Sequence, residues 1–261
     1  MPHSIQFWLA MSIAIGLSCL SPLAGAAPIL GVNLVGSDAT RGTLGSSTIA
    51  GVPGFQQSSW NNIAGTDTAS TVLQDTAGQS FTIASFGNVS ATTASLGLNT
   101  TDGLHDANDQ LMNGYVVHGV QVADKIDVTS IPASYISSGY SVILYCAGGG
   151  TYPEEAAIDL NRIGVLTRRT YTKETGGFDG TFLRATSTDQ SQPTLGGNYF
   201  DFDNLTASSF TVLFGPSLPV GSLSYLNAFQ IVQTPEPSAG LLTSAGLLLF
   251  AALRRRNPRS C

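Results

Sequence analysis

Between Pro28 and Gln233, short runs of β-branched and aromatic residues alternate with turn clusters such as Gly148-Gly149-Gly150. The run from Ser80 to Ser85 alternates polar and apolar residues, which is typical of a strand with one solvent-exposed face. Neither a long helical stripe nor βαβ alternation is present. The pattern therefore predicts an all-β fold, an antiparallel β-sandwich of jelly-roll type.

About eleven strands are predicted in this part of the chain. Their ranges are Ile29–Val35, Gln79–Ser85, Thr92–Leu98, Gly114–Val122, Lys125–Ser130, Tyr140–Ala147, Gly164–Thr172, Gly180–Ala185, Asn198–Phe202, Ser208–Phe214 and Leu223–Gln233. One short helix is expected at Pro153–Leu160, because Glu154 and Glu155 would lie in its first turn. We expect these two carboxylates to be a solvated pair.

The first 26 residues have the features of a secretory signal peptide. An apolar stretch from Ile5 to Leu20 is too short for a confident membrane span, and Ala24 and Ala26 supply the small residues that signal peptidase requires. Lipidation at Cys19 is a weaker alternative, because Gly16 occupies a position where a bulky aliphatic residue is expected. Cleavage near Ala26 would send the chain out of the cytoplasm.

The last 28 residues contain three segments in a fixed order. Pro235, Glu236 and Pro237 come first, followed by an apolar stretch that ends at Leu253 and then by Arg254, Arg255 and Arg256. Sixteen residues from 238 to 253 would span about 24 Å as a helix, close to the thickness of a bilayer core. Arginines after such a single transmembrane helix stay in the cytoplasm, so the preceding residues would lie outside.

This tail resembles the PEP-CTERM sorting domain of exported proteins in Gram-negative bacteria. The resemblance implies processing near the Pro235-Glu236-Pro237 triplet by an exosortase, a membrane protease-transpeptidase. It also implies a host that produces an exopolysaccharide matrix, with transient anchoring in the inner membrane before release to the outer surface or the matrix. A plain tail anchor is the alternative. The resulting domains are a signal peptide (1–26), a sandwich domain (27–233) and a sorting tail (234–261).

Two segments of the body are similar to parts of other exported proteins with this tail. One runs from Gly51 to Gly65, and the other is the closing strand from Leu226 to Val232. The bodies of those proteins resemble galactose-binding-like sandwiches. The resemblance therefore implies the same architecture for residues 27–233.

The charges and cysteines narrow the possible functions. Upstream of Pro235, 7 basic residues face 16 acidic ones, a formal charge of −9 that repels phosphate backbones and argues against nucleic-acid binding. Only Cys146 lies outside the terminal segments, so no disulfide framework is expected, and its apolar run predicts a buried thiol. His105 and His118 are the only histidines outside the signal, and no nucleophile elbow accompanies them. We therefore expect a protein without catalytic activity.

The densest polar cluster of the sequence is the loop at 101–109. Its oxygen-bearing side chains are the kind that calcium prefers, although their spacing is not that of an EF-hand. An acidic surface loop that caps turns is the favoured alternative, and no other cofactor is expected. The calcium candidates are Asp102, Asp106, Asn108 and Asp109. Asp201 and Asp203 lie on one side of a strand and form a still weaker ion site.

Carbohydrate binding requires an exposed aromatic ring beside hydrogen-bonding groups. Trp60 with Asn61 and Asn62 meets this requirement in sequence, as do Tyr152 and Tyr199 with Asn198. Alternatively, Trp60 covers one end of the core and the asparagines satisfy loop backbone. Three hypotheses follow: a non-catalytic surface or matrix protein that associates with exopolysaccharide, a polysaccharide hydrolase or lyase, and a structural matrix subunit.

Overall fold

The strands in the described part of this chain form two larger sheets and one short ribbon. A computed structural model describes residues 27–35, 43–64, 70–86, 106–117, 124–147, 154–162, 166–173, 178–214 and 225–235. Ala27–Thr234 forms a compact unit that contains all of the described strands.

The first sheet has five strands and includes both the first and the last strand of the unit. Its spatial order is β11, β7, β14, β1 and β2, and all neighbours are antiparallel except β1 and β2. Ile29 lies opposite Val232 across β1 and β14, and the Gln233 amide donates to the Pro28 carbonyl at 3.0 Å. The chain therefore enters and leaves the unit side by side. The strands are β1 Ile29–Val35, β2 Asn61–Ala64, β7 Tyr140–Tyr145, β11 Tyr199–Leu205 and β14 Ala228–Gln233.

The second sheet has seven strands in the order β10, β9, β8, β12, β6, β4 and β3. Its neighbours are antiparallel except β9 and β10. The strands are β3 Thr71–Gln74, β4 Ser80–Phe86, β6 Asp124–Ser130, β8 Glu154–Leu160, β9 Leu166–Lys173, β10 Thr194–Leu195 and β12 Phe210–Phe214. A ribbon of β5 (Val116–Val117) and β13 (Tyr225–Leu226) and two short helices complete the described elements, the helices being α1 Ala107–Leu111 and α2 Ala133–Ser138.

The main core lies between the two sheets. Alternate residues of each strand point inward, as the two-residue period of a strand requires. Both sheets contribute fully buried side chains to this one cluster, among them Leu144 and Ile231 from the five-stranded sheet and Val128 and Phe210 from the seven-stranded sheet. The all-β sandwich predicted from sequence is therefore confirmed, although the parallel pairs make both sheets mixed.

A second apolar cluster covers the outer face of the five-stranded sheet. Ile143 and Tyr145 of β7 point away from the main core and are 0% exposed. Residues 43–60 and helix α1 lie over them, with Leu44, Trp60 and Leu111 in the same cluster. Because both faces of this sheet are apolar, its outer face requires this cover to exclude water.

Most of the predicted strands that lie in the described residues are present, with shifted ends. The bounds of Ile29–Val35 are confirmed without change. Gly180–Ala185 is not a strand and contributes only an isolated bridge between Arg184 and Tyr199, so that prediction is wrong. Thr92–Leu98 lies outside the described residues. Strands β2, β3 and β10 and both helices were not predicted.

The helix predicted at Pro153–Leu160 is wrong, because residues 154–160 form strand β8. Ala156 and Ile158 point into the main core, and the intervening residues point to the other side. Strand β8 pairs with β12 on one side and β9 on the other, so tertiary pairing outweighs the helical preference of the local sequence. Glu154 and Glu155 are 2% and 0% exposed, so the expected solvated pair is also wrong.

Within the described part of the chain, no helix has the length and apolar character to cross a bilayer. The apolar stretch at 239–253, where the span was predicted, lies outside the described residues. The same holds for the predicted signal peptide at 1–26.

Candidate functional site

Trp60 does not form the exposed aromatic plane that carbohydrate binding would need. Its side chain is 5% exposed, packs edge-on against Tyr145 with ring centroids 6.2 Å apart, and donates to the Gln57 carbonyl at 3.1 Å. It lies over Gly31, where a Cβ would stand only 2.8 Å from the indole Cε3. The ring covers one side of the five-stranded sheet, as the alternative interpretation of Trp60 expected.

Asn61 and Asn62 bind backbone rather than presenting their amides to a ligand. Asn61 donates to the carbonyls of Gly31 at 2.9 Å and Gln74 at 3.0 Å. Asn62 donates to the Leu44 carbonyl and accepts from the Leu44 amide, at 2.9 and 3.0 Å. The two side chains extend the hydrogen-bonding edge of β1 and fix the start of the covering segment.

The calcium candidates that lie in the described residues are at the start of helix α1, where two of them cap it. Asp106 accepts from the amides of Asn108 and Asp109, and Asp109 accepts from the Asp106 amide, which together form a capping box. Asn108 accepts from the Gly51 amide at 3.0 Å. Asp102 lies outside the described residues. In the described ranges, no group of three His, Cys, Asp or Glu side chains is placed to hold a metal ion.

The targeting residues lie almost entirely outside the described part of the chain. Pro235 is the last residue of that part, one position after the compact unit ends. The other predicted targeting residues lie outside it, namely Ala24, Ala26, Glu236, Pro237, Arg254, Arg255 and Arg256. The structure thus shows the domain that these segments would flank.

Two other sequence predictions can be compared with the structure. Cys146 is 1% exposed in the main core, so the buried thiol is confirmed.

Asp201 and Asp203 lie on one side of β11, where ion pairs join them to Arg184 and Arg168, both at 3.1 Å. Burial raises the pKa of Asp201, and the Arg184 guanidinium opposes that shift. His105, His118 and Tyr152 lie outside the described residues.

Asn198 and Tyr199, the third aromatic-amide pair proposed for carbohydrate, also have structural roles. Asn198 is 5% exposed and accepts from the Leu183 amide and donates to the Thr181 carbonyl. Tyr199 is half-buried and packs edge-on against Phe182 at 6.4 Å. This pair holds the segment at 181–183 against the five-stranded sheet.

The outer face of the seven-stranded sheet carries a cluster of charged side chains that we call the charged face. It is formed where β6, β12, β8 and β9 lie side by side, by the residues of each strand that point away from the core. Its residues are Lys125, Asp127, Ala157, Glu155, Asp159, Arg162, Arg169, Tyr171, Thr211 and Leu213.

The middle row of the charged face runs across all four strands. Lys125 lies opposite Leu213, Leu213 opposite Ala157, and Ala157 opposite Arg169. A basic side chain therefore stands at each end of an apolar floor. Lys125 and Arg169 are 46% and 41% exposed, whereas Ala157 is buried.

Asp127 holds the basic side chains at one end of this row. Lys125 Nζ and Arg162 Nη2 lie 3.0 and 3.2 Å from its Oδ2, and the Thr211 hydroxyl donates to its Oδ1. Burial acts to raise the pKa of Asp127, but the Thr211 hydrogen bond and the two cations outweigh burial and lower it. The carboxylate is ionised and anchors both cations. Asp159 lies opposite Thr211 on β8, so Asp127, Thr211 and Asp159 form a second row beside the middle row.

Glu155 has the corresponding role beside β9. The Tyr171 hydroxyl donates to its Oε1 at 3.3 Å, and Arg169 Nη1 lies 3.5 Å from the same oxygen. Glu155 is 0% exposed and Tyr171 is 6% exposed. The sequence did not indicate this cluster, because residues 154–160 favour a helix locally and form a strand only in the fold. The two-residue spacing of Glu155, Ala157 and Asp159 was the signal that could have revealed it.

The charged face concentrates the basic residues of an acidic domain. Of the six lysines and arginines in the described ranges, Lys125, Arg162 and Arg169 lie on it, and Lys173 shares the Arg169 side of β9. The exposed layer is cationic, and the carboxylates beneath it are at most 5% exposed. Such a surface can bind a polar or anionic ligand through hydrogen bonds and charge.

Comparison with known proteins does not assign a function to this arrangement. The chain matches no protein-family model and no curated protein. Because unrelated functions share β-sandwich folds, any function must be argued from the side chains of the site and from the ends of the domain.

Proposed function

We propose that this chain is an exported, exosortase-processed protein of the outer surface or extracellular matrix of a Gram-negative-type bacterium. It has no catalytic activity and associates with exopolysaccharide. The finer architecture that we propose is a jelly-roll or galactose-binding-like sandwich. The observation that carries the proposal is the pairing of the first strand, β1, with the last strand, β14, directly inside the two predicted targeting segments.

Removal of both targeting segments would leave the sandwich intact. Cleavage near Ala26 falls before Ile29, where β1 begins, and the Pro235-Glu236-Pro237 triplet follows the last residue of the unit. Neither cut removes a residue of either sheet. Because Ile29 pairs with Val232, the first and last residues of the domain lie side by side, which is compatible with attachment of both ends to a single membrane before processing.

Signal peptidase and exosortase are the partners that this pathway requires during export. We would express the full chain in its native host with and without the exosortase, and would identify the mature ends by mass spectrometry. We expect an N-terminus at residue 27 and a C-terminus near 235–237 only when the exosortase is present. A triple variant, Pro235→Ala, Glu236→Ala and Pro237→Ala, should stay in the inner-membrane fraction. Full-length protein in the cytosol would overturn the proposal.

A polysaccharide lyase is a second candidate, favoured by one contact. Tyr171 and Arg169 lie on the same side of β9 and both reach Glu155, so a tyrosine and a basic group converge on one face. A lyase would release unsaturated sugar ends, which absorb ultraviolet light. An increase in absorbance with polyuronate that disappears in Tyr171→Phe would establish catalysis, and an unchanged absorbance would support the non-catalytic proposal.

A structural matrix subunit is favoured by the edges of the seven-stranded sheet. Strands β3 and β10 are its outer strands, and Val72 and Leu195 on them are 64% and 65% exposed. Exposed apolar residues on edge strands favour self-association. Sedimentation over a range of concentrations tests this candidate, because a subunit of this kind would form polymers and a polysaccharide-associated monomer would not.

A further inference from the structure

We infer that the charged face binds an acidic polysaccharide, with the exposed cations Lys125, Arg162 and Arg169 contacting carboxylate groups of the polymer. This inference rests on the proposed function and names the surface and the ligand class. Lys173 extends the same surface along β9.

The distribution of charge is the first argument. Residues upstream of Pro235 carry nine more acidic than basic groups, yet four of the six described basic residues lie on one sheet face. Lys125, Arg162 and Arg169 are 38–46% exposed, whereas the side chains of Asp127 and Glu155 are 4% and 0% exposed. A ligand that approaches this face therefore meets cations before carboxylates.

The spacing of the middle row is the second argument. Lys125 and Arg169 stand three strand intervals apart, which places their Cα atoms about 14 Å from each other. Between them Leu213 is partly exposed and Ala157 is buried. Sugar rings have apolar faces bordered by polar groups, so a chain of uronate units could lie over Leu213 with its carboxylates at the two cations.

The buried carboxylates provide the third argument. Ion pairs whose cations are exposed contribute little net stability, so stability alone does not account for these carboxylates on a sheet face. Asp127 and Glu155 hold three long basic side chains in place, which lowers the conformational entropy that binding would otherwise cost. These carboxylates therefore position the binding groups.

Nucleic acid is a less suitable ligand for this face. The excess of acidic residues repels a phosphate polymer at long range. Binding of single strands also uses exposed aromatic rings on which bases stack, and among the described side chains of this face the aromatic one, Tyr171, is 6% exposed. The described cations suit carboxylates carried on sugar rings.

The inference can be tested by affinity electrophoresis of the protein recovered from its host. The gels would contain polygalacturonate, the methyl ester of the same polymer, or single-stranded DNA. We expect retardation by polygalacturonate that weakens as salt is added, and much less retardation by the ester, because only the carboxylate charge differs. The double variant Lys125→Gln and Arg169→Gln should bind polygalacturonate at least tenfold more weakly.

Arg184→Gln is the matched control, because Arg184 is 42% exposed, is ion-paired to Asp201, and lies away from the charged face. It should bind like the unchanged chain. Circular dichroism must show that both variants keep the β fold, and the conservative variant Arg169→Lys provides a second folded comparison. Equal retardation by polymer and ester, preference for DNA, or equal loss in the control and the double variant would overturn the inference.

The outcomes separate this inference from the proposed function. A chain that is exported and processed but binds neither polymer would refute the charged face as a polysaccharide site and leave the proposal of export standing. A chain that binds polygalacturonate but remains unprocessed in the cytosol would support the charged face as a polysaccharide site and would refute the proposal of export.

Discussion

Replacement of Asp127 separates two effects of one buried carboxylate. Asp127→Asn keeps an oxygen that can accept from the Thr211 hydroxyl, and removes the charge that faces Lys125 and Arg162. These cations are 46% and 38% exposed and can turn to water, so each lost pair should cost no more than about 1 kcal/mol. We therefore expect the free energy of unfolding to fall by no more than about 2 kcal/mol.

Asp127→Ala has a further consequence, because it leaves the Thr211 hydroxyl without its acceptor. Thr211 is 7% exposed, and an unsatisfied buried hydroxyl costs about 1–3 kcal/mol. The alanine variant should thus be less stable than the asparagine variant by about 1–2 kcal/mol. Combining Asp127→Ala with Thr211→Val removes both hydrogen-bonding groups and should restore part of that difference.

Urea unfolding of residues 27–234 provides the measurement. Trp60 is the only tryptophan in this range, and its buried indole reports on the loss of the five-stranded sheet, while circular dichroism reports on all strands. Equal stability of the alanine and asparagine variants would refute the reasoning, as would a double variant that is less stable than Asp127→Ala alone.

Four other predictions follow from the buried contacts. Tyr145→Phe should lower the free energy of unfolding by about 1–3 kcal/mol, because the Tyr145 hydroxyl accepts from the Val52 amide and donates to Gln230; the urea midpoint measures this, and no change would contradict it. Asn227→Ala should cost more, since Asn227 accepts from the Ala147 amide and donates to the carbonyls of Met112 and Gly114; calorimetry should show a lower Tm than for Tyr145→Phe. Gly31→Ala should cost about 1–3 kcal/mol by driving a Cβ into Gln57 and Trp60, and an unchanged Trp60 emission spectrum would argue against this. Because the pKa of Asp127 is lowered, its contribution to stability is present above its ordinary value of 3.8 and is lost as pH falls through the folded pKa; Tm measured from about pH 6 to about pH 2 should therefore decrease less for Asp127→Asn than for the unchanged protein.

Apolar runs bounded by turn residues predicted several strands. Ile29–Val35 is an example, because Pro28 and Gly36 bound a run whose seven residues are all buried. Strand β8 was missed, since two glutamates and two alanines favour a helix locally, and the pairing with β9 and β12 that makes it a strand involves residues elsewhere in the chain.

The charged face depends on the register in which neighbouring strands pair, and this register could not be predicted from the sequence. Lys125, Leu213, Ala157 and Arg169 form one row only because four strands from separate parts of the chain align at these residues. The burial of Trp60 has a similar origin, because Gly31 and Tyr145, which accept its ring, lie far from it in sequence. The preference of a single residue type for the surface or the core predicts neither the charged row nor the burial of Trp60.

The position of the last strand also restricts when the domain can form during synthesis. Strand β14 lies between β7 and β1, so those two strands have no shared neighbour until residue 233 has left the ribosome or a translocation pore. A nascent chain that stops earlier lacks the centre of one sheet and exposes the apolar surfaces of both flanking strands. Completion of this domain therefore has to wait until its last described strand is available for pairing.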